Sequence, residues 1–348
     1  MGVGTPYALA ATRSRARAVE RLSAARCRVG LDGVLADLDR TAERCTVPGA
    51  ASGNGFTWDA RDRDDPSWWP QGIASIRTGD VLLVAWYSRR RGLAPTPGTR
   101  ISVVDRSDPD RPRYRHVLLV VPRRLPGLRA TGAVRVHAGG IAVCGDLLYV
   151  ADTVLGLRLF RLRDVLRVGP TGPSRGSTYV LPQLTAFRVP VRSGRHRLRY
   201  SFLSTGELDR QPSLVVGEYR RAGASPRLAV YPIDPSTCLP AVDGRGRVAP
   251  SEVHEGQPDR MQGAAVHGSG WWVTASAGEG VAGDLYTGAP HGWVRHRGVL
   301  PTGPEDLAWS RPGEELWCAS EWPGRRWVFP IDPGRWRPSP DPGGADGA

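Results

Sequence analysis

At 348 residues with a formal net charge of +13, the chain is long enough for a sizeable core, and the charge by itself invites a phosphate-binding reading. All 47 basic residues are arginine and none is lysine, the mark of GC-rich codon usage rather than of selection for phosphate contacts. The arginines are also dispersed, with short runs at Arg89-Arg90-Arg91, Arg123-Arg124 and Arg220-Arg221, so nucleic acid is not an expected partner; no apolar stretch is long enough to span a membrane.

Residues 1–50 read as an N-terminal helical and irregular extension. Ala8-Leu9-Ala10-Ala11 is too short for a secretory core, and the arginines follow it instead of preceding it. As written, the chain is expected in the cytoplasm; it is expected to be secreted if the true start lies upstream. Within residues 12–44, Val19, Leu22, Ala25, Leu35 and Leu38 form a rough helical stripe that would pack on the body of the chain. At the other end, residues 336–348 are rich in Pro and Gly and are expected to be a disordered tail.

Residues 51–335 carry a repeat. A short segment recurs at Gln71-Gly72-Ile73-Ala74, Gly139-Gly140-Ile141-Ala142, Tyr200-Ser201-Phe202-Leu203, Gln262-Gly263-Ala264-Ala265 and Glu305-Asp306-Leu307-Ala308. Each is followed by an apolar run ending in a small polar, acidic or aromatic residue: Leu82–Trp86, Leu148–Asp152, Leu214–Glu218, Trp272–Ser276 and Leu316–Glu321. A third run of period-two alternation comes next, as at Thr99–Val104 and Leu157–Leu162, and His116–Val121 is an example of a fourth. Gly72, Gly140, Phe202, Gly263 and Asp306 stand 68, 62, 61 and 43 residues apart. That spacing suits a four-stranded propeller blade of roughly 40–50 residues plus insertions. The expected fold is all-β, a single β-propeller of five blades, with six as the alternative. The last copy lacks a fourth strand, and Phe56-Thr57-Trp58-Asp59 is the candidate to supply it. An open β-sandwich is the competing architecture.

The five cysteines show no metal-binding spacing. Cys144 and Cys318 lie in strand runs and read as buried thiols. Cys27, Cys45 and Cys238 lie outside them, and one pair among these three could form a disulfide in an exported protein.

A propeller gathers the start of each inner strand and the end of each returning strand at one mouth. Five carboxylates meet there, Asp152, Glu218, Glu305, Asp306 and Glu321, together with His137. Crowded acids are relieved by a cation, by arginines or by raised pKa values. Oxygen donors from several strands suit calcium, magnesium or manganese, which makes these five the candidate metal ligands. Glu305, Glu321 and His137 are the candidate catalytic acid and base. Trp69, Gln71, Tyr87, Tyr219, Arg260, Gln262 and Trp322 are the candidate ligand-binding residues, the tryptophans as stacking surfaces. His116, His196, His254, His267, His291 and His296 read as structural. No nucleophile elbow, phosphate loop or zinc-protease motif occurs.

Through Trp69-Pro70-Gln71-Gly72, His137-Ala138-Gly139-Gly140, Tyr179-Val180-Leu181-Pro182-Gln183 and Pro304-Glu305-Asp306-Leu307 the chain resembles β-propeller proteins of GC-rich actinobacteria, often exported, over residues 30–332. More distantly it is similar to gluconolactonase and regucalcin-like propellers. That second resemblance implies a divalent cation at the mouth and lactone hydrolysis, although no Asn stands at the expected strand ends and the blade count is lower. The expectation is a monomer that binds a small polar or cyclic ligand or glycan at an acid-lined mouth. Either it is a cation-assisted hydrolase or lyase of lactonase type, or it is a non-catalytic propeller recognising a glycan or protein.

Overall fold

The computed structural model describes residues 7–89, 96–123, 131–169, 177–190, 197–208, 210–220, 223, 225–311 and 314–337. Arg90, Arg91, Arg124, Arg221, His196 and the expected tail from residue 338 lie outside them.

The chain is all-β in its main body. Its alternating and doubly apolar runs, rich in Val, Leu and aromatic residues, fit a pleated sheet buried on both faces. Consecutive strands pair into antiparallel meanders, and two parallel pairings, Tyr179–Pro182 with Val117–Val120 and Glu207 with His267, merge neighbouring meanders into larger sheets. Meander I holds Trp68–Ile76, Val81–Ser88, Thr99–Asp105 and Arg113–Pro122. Meander II holds Ile141–Cys144, Leu147–Asp152, Gly156–Arg161 and Tyr179–Arg188. Meander III holds Phe202–Leu208, Gln211–Gly217, Leu228–Pro232 and Glu252–His254. Meander IV holds Met261–His267, Gly270–Ala275, Ala282–Ala289 and Gly292–Thr302. Meander V supplies only Pro304–Arg311, Glu315–Ser320 and Trp327–Ile331 from its own stretch. Its fourth strand comes from the N-terminal side, where Asn54–Thr57 pairs with it, Thr57 opposite Trp327 and Phe56 opposite Val328.

The first strands of the meanders lie beside one another in a closed circuit, I to II to III to IV to V and back to I. Apolar clusters fill the spaces between neighbours, for example Phe56, Trp58, Trp86 and Trp317 between V and I, and Phe202, Val215, Val266 and Trp271 between III and IV. Close to the axis the backbones touch. A Cβ on Gly140 would stand 1.9 Å from the amide nitrogen of Leu203, and one on Gly72 would stand 2.7 Å from the backbone of Gly140 and Ile141, so only glycine fits at both places.

The N-terminal segment wraps the rim. Helix Ala16–Ala24 buries Val19, and helix Gly30–Leu35 seats Leu31 and Val34 in the cluster between meanders I and II. Short strands extend the outer sheets: Leu9–Ala11 pairs with Tyr179–Arg188, and Glu43–Thr46 pairs with Asn54–Thr57. Added strands of this kind cover edges that would otherwise be open to pairing.

The cysteines depart from expectation. Cys144 is not a buried thiol but forms a disulfide with Cys238, their Cα atoms 5.5 Å apart. Cys144 ends the first strand of meander II and meets the loop after Leu228–Pro232, a neighbour that is distant in sequence. Cys27 and Cys45 are free, and Cys318 is a wholly buried thiol.

Candidate functional site

Three of the inner strands break their register at the axis. Pairing shifts between Pro70 and Ile73, between Met261 and Gly263, and between Pro304 and Leu307. A bulge places extra residues on one strand and turns their side chains out of the ordinary alternation. The residues at these bulges are Gln71, Gln262, Glu305 and Asp306, and their polar groups meet at the end of the ring. Gln262 Nε2 donates to Glu305 Oε1 at 3.2 Å. Gln71 Nε2 donates to Glu321 Oε2 at 2.9 Å, so an amide from meander I holds an acid from meander V. Asp306 Oδ2 accepts the backbone amides of Ile73 and Ile141, each at 3.3 Å, tying meanders I, II and V together.

Among the described residues none of these acids forms an ion pair. Glu305 and Asp306 are 1% and 0% exposed. Burial pushes the Glu305 carboxyl well above its usual range, and Glu321 and Asp306 raise it further. Asp306 is raised in the same way by burial, against the pull of its three backbone amide donors. Glu321, at the end of the returning strand, is raised to about 7 by burial, tempered by Gln71, Arg326 and Arg89. Two polar atoms in this group, Asp306 Oδ1 and Gln71 Oε1, are buried and have no hydrogen-bond partner among the described residues. An orphaned buried acceptor costs about 1–3 kcal/mol, which a ligand donor could recover.

Aromatic groups lie near these acids. Trp69 meets Trp322 edge to face at 5.1 Å, and Arg89 lies over the Trp69 ring at 4.6 Å. The half-buried Tyr87 stacks on His137 with centroids 4.4 Å apart. The phenol of Tyr87 is pushed up to about 12, by burial first and then by Glu321. His137 is exposed by surface area, yet the groups crowding its ring, Tyr87 among them, desolvate it, and this with the charge of Arg199 lowers its pKa to about 4. The ring is therefore neutral near pH 7. Behind this wall Arg326 is fully buried, its guanidinium donating to the carbonyls of Glu321, Asp62 and Trp68.

Asp152 and Glu218 do not join this group, which corrects the expectation of five converging metal ligands. Asp152 Oδ2 accepts from Arg158 at 3.0 Å, and its Oδ1 caps the amides of Val154 and Leu155. Glu218 is held by a two-pronged fork from Arg227, both bonds 2.8 Å, by Arg220 and by the Arg199 amide. Burial would raise the Glu218 pKa, but these donors outweigh it and pull it below the usual value. Both acids are turned away by arginines of their own meander, a partnership that linear spacing cannot reveal. Among the described residues no group of three or more His, Cys, Asp or Glu is placed to hold a metal ion. Tyr219 is half-buried and Arg260 exposed beside the inner strand of meander IV. Of the other histidines, His116 bonds Asp62, His254 bonds Glu252, His296 bonds Thr287 and His267 packs on Trp309. The bulges went unseen in the sequence; the recurring Gln or Glu ahead of Gly or Asp was the available signal.

No family model and no curated protein matches the chain. Among solved structures it is similar to a gluconolactonase from Xanthomonas campestris (TM-score 0.36, 13% identity, 85% of each chain covered). It is similar also to a luciferin-regenerating enzyme (TM-score 0.35, 10% identity, 76% of this chain and 91% of that one). A third is the Dos1 propeller (TM-score 0.33, 10% identity, 77% and 72%). Likeness at this distance carries no activity across.

Proposed function

We propose that the five meanders are the blades of one propeller and that its axial mouth binds a small polar cyclic ligand and hydrolyses it as a lactone-like ester. One observation carries the reading: Glu305 and Glu321 are each held by a glutamine amide, with raised pKa values and no arginine neutralising either carboxylate directly. Glu305, its carboxyl raised well above the usual range by burial and by Glu321 and Asp306, is the general acid, and Glu321, poised near neutrality, is the general base. Glu321 takes a proton from water as the water oxygen bonds to the acyl carbon. Glu305 gives its proton to the ring oxygen as the acyl–oxygen bond breaks, leaving a carboxylic acid and a hydroxyl. Proton exchange with solvent then resets the pair. Neutral His137 and Tyr87 offer hydrogen bonds and a stacking surface for the ligand, so the base assigned from sequence passes from His137 to Glu321. A divalent cation is not part of this scheme, because the donor set is incomplete. The Cys144–Cys238 bridge supports the exported of the two locations considered from the sequence.

The test is hydrolysis of δ-gluconolactone and related small lactones in a pH-stat, with E305Q and E321Q beside the wild type. Each substitution is expected to lower the rate by about 10²–10⁴-fold. Rates unchanged in both variants sink the assignment. Saturable ligand binding with no turnover would favour the recognition propeller instead, and a melting temperature raised by calcium or magnesium and reversed by chelator would restore the cation.

A further inference from the structure

The rim of the same mouth narrows the class of ligand, provided that Glu305 and Glu321 act on it as proposed. The acids lie on meander V, and the opposite side of the rim has another character. Arg199 stands just before the first strand of meander III, exposed, and close enough to His137 for its charge to act on that ring. Its backbone amide is used by Glu218, but the guanidinium has no partner among the described residues. Arg260 stands at the corresponding place in meander IV, also exposed, and its guanidinium likewise has no partner among the described residues. Its backbone is left-handed, with φ 60°, a costly state for arginine that is pinned by bonds from its amide to the Arg220 carbonyl and from the Ser276 amide to its own carbonyl. The Nε of Arg220 is buried without a partner. Glu218, beside Arg199, is fully engaged by Arg227, Arg220 and the Arg199 amide, and Asp259, next to Arg260 in the chain, makes no ion pair with it among the described residues. The rim over meanders III and IV thus carries guanidinium donors without a partner among the described residues, while burial raises the pKa of the floor acids Glu305 and Asp306 and so weakens the charge they offer.

We propose that the ligand is a small polyhydroxylated ring bearing an oxyanion, the anion bound by Arg199 and Arg260 and the ring directed to the acids of meander V. Guanidinium forks match carboxylate and phosphate geometry, and rim charge of this kind selects and steers anions.

Tryptophan fluorescence and titration calorimetry at pH 7 with D-glucuronate, D-glucose 6-phosphate and D-glucose test it, and the first two separate carboxylate from phosphate. At least one anion is expected to bind about tenfold or more tighter than glucose, with the advantage shrinking as salt is added. The R199Q/R260Q double variant, changed only at exposed side chains, is expected to lose that advantage and keep its fold. Equal affinity for glucose and both anions, an anion advantage that survives the double variant, or no saturable signal from any probe up to about 20 mM overturns the proposal. E321Q reads the mouth separately. Unchanged anion affinity in E321Q, with the arginine dependence intact, overturns the mouth reading and leaves anion recognition by the arginines standing.

Discussion

Two buried acid groups in this molecule meet opposite fates. Asp62, 3% exposed between meanders V and I, accepts from Arg100 at 2.8 Å, Tyr114 at 2.8 Å and His116 at 2.8 Å, with Arg40 at 2.9 Å. Burial alone would raise its pKa, yet the bond from His116 and the charges of Arg100 and Arg40 drive it far below the usual range. The axial acids are as deeply buried, and theirs rise. Burial is common to both, so partners decide. A charge-paired network ties helix Ala60–Arg63 to meander I, whereas an under-satisfied one stores a binding potential. The Asp62 group even contains a relay, with His116 Nδ1 2.9 Å from Ser102 Oγ, but that hydroxyl takes the indole N–H of Trp86 at 2.8 Å, a residue of the core packed between meanders V and I, and is held there as part of the packing.

The sharpest break in this comparison is D62A. It strands Arg100 and Arg40 beside an apolar wall and is expected to cost about 3–5 kcal/mol in thermal or denaturant unfolding. A loss below about 1 kcal/mol would show that the network is not the tie described. Next is the disulfide, which belongs to neither group: reduction or C238S is expected to remove about 2–4 kcal/mol, seen as a lower melting temperature. Unchanged melting under reductant would contradict the bridge.

The axial acids should behave in the reverse way to Asp62. E305Q and D306N replace acids whose pKa is raised by burial with neutral isosteres, so stability at pH 8 is expected to hold or to rise by about 1–2 kcal/mol. A clear loss in both would mean that the carboxyls are ionised and paired in the folded state.

Opposite pH slopes sharpen the contrast. Raised carboxyl pKa values mean that the folded state holds more protons than the unfolded chain. Their contribution is complete below about pH 4 and is lost as pH rises, for Glu321 up to about 7. His116, lowered to about 4 by burial first and Arg100 second, contributes fully above about 6.5 and loses its contribution as pH falls toward 4. E321Q is therefore expected to gain on the wild type by about 1–2 kcal/mol between pH 4.5 and 7. Parallel pH–stability curves would refute the raised pKa. The smallest effect is expected from S102A, about 1 kcal/mol with turnover untouched; a collapse of activity would turn the relay into a second catalytic site.

Much of the fold was legible because its signals are local. The run Leu148–Asp152 announces a strand by composition, and the strand is Leu147–Asp152; the closing partner near Phe56 follows from a missing fourth strand and is found as Asn54–Thr57. The site was legible only in part. Gathering residues by their place in the repeat brings Gln71, Gln262, Glu305, Asp306 and Glu321 together; hydrogen bonds join Gln71 to Glu321 and Gln262 to Glu305, while Asp306 accepts the backbone amides of Ile73 and Ile141. The same rule wrongly added Asp152 and Glu218. The interaction that removes each is an arginine one strand away, and repeat position says nothing of which side chain turns toward which.

The amino-acid sequence by itself determined the strands, their order and the residues that end near the axis, because period-two alternation and glycine placement act over a few neighbours. Only the tertiary structure decided which acids keep their charge, which cysteines meet and where the strands bulge. Those outcomes depend on distances between groups up to 250 residues apart, as between Gln71 and Glu321, and on the water each loses when the ring closes.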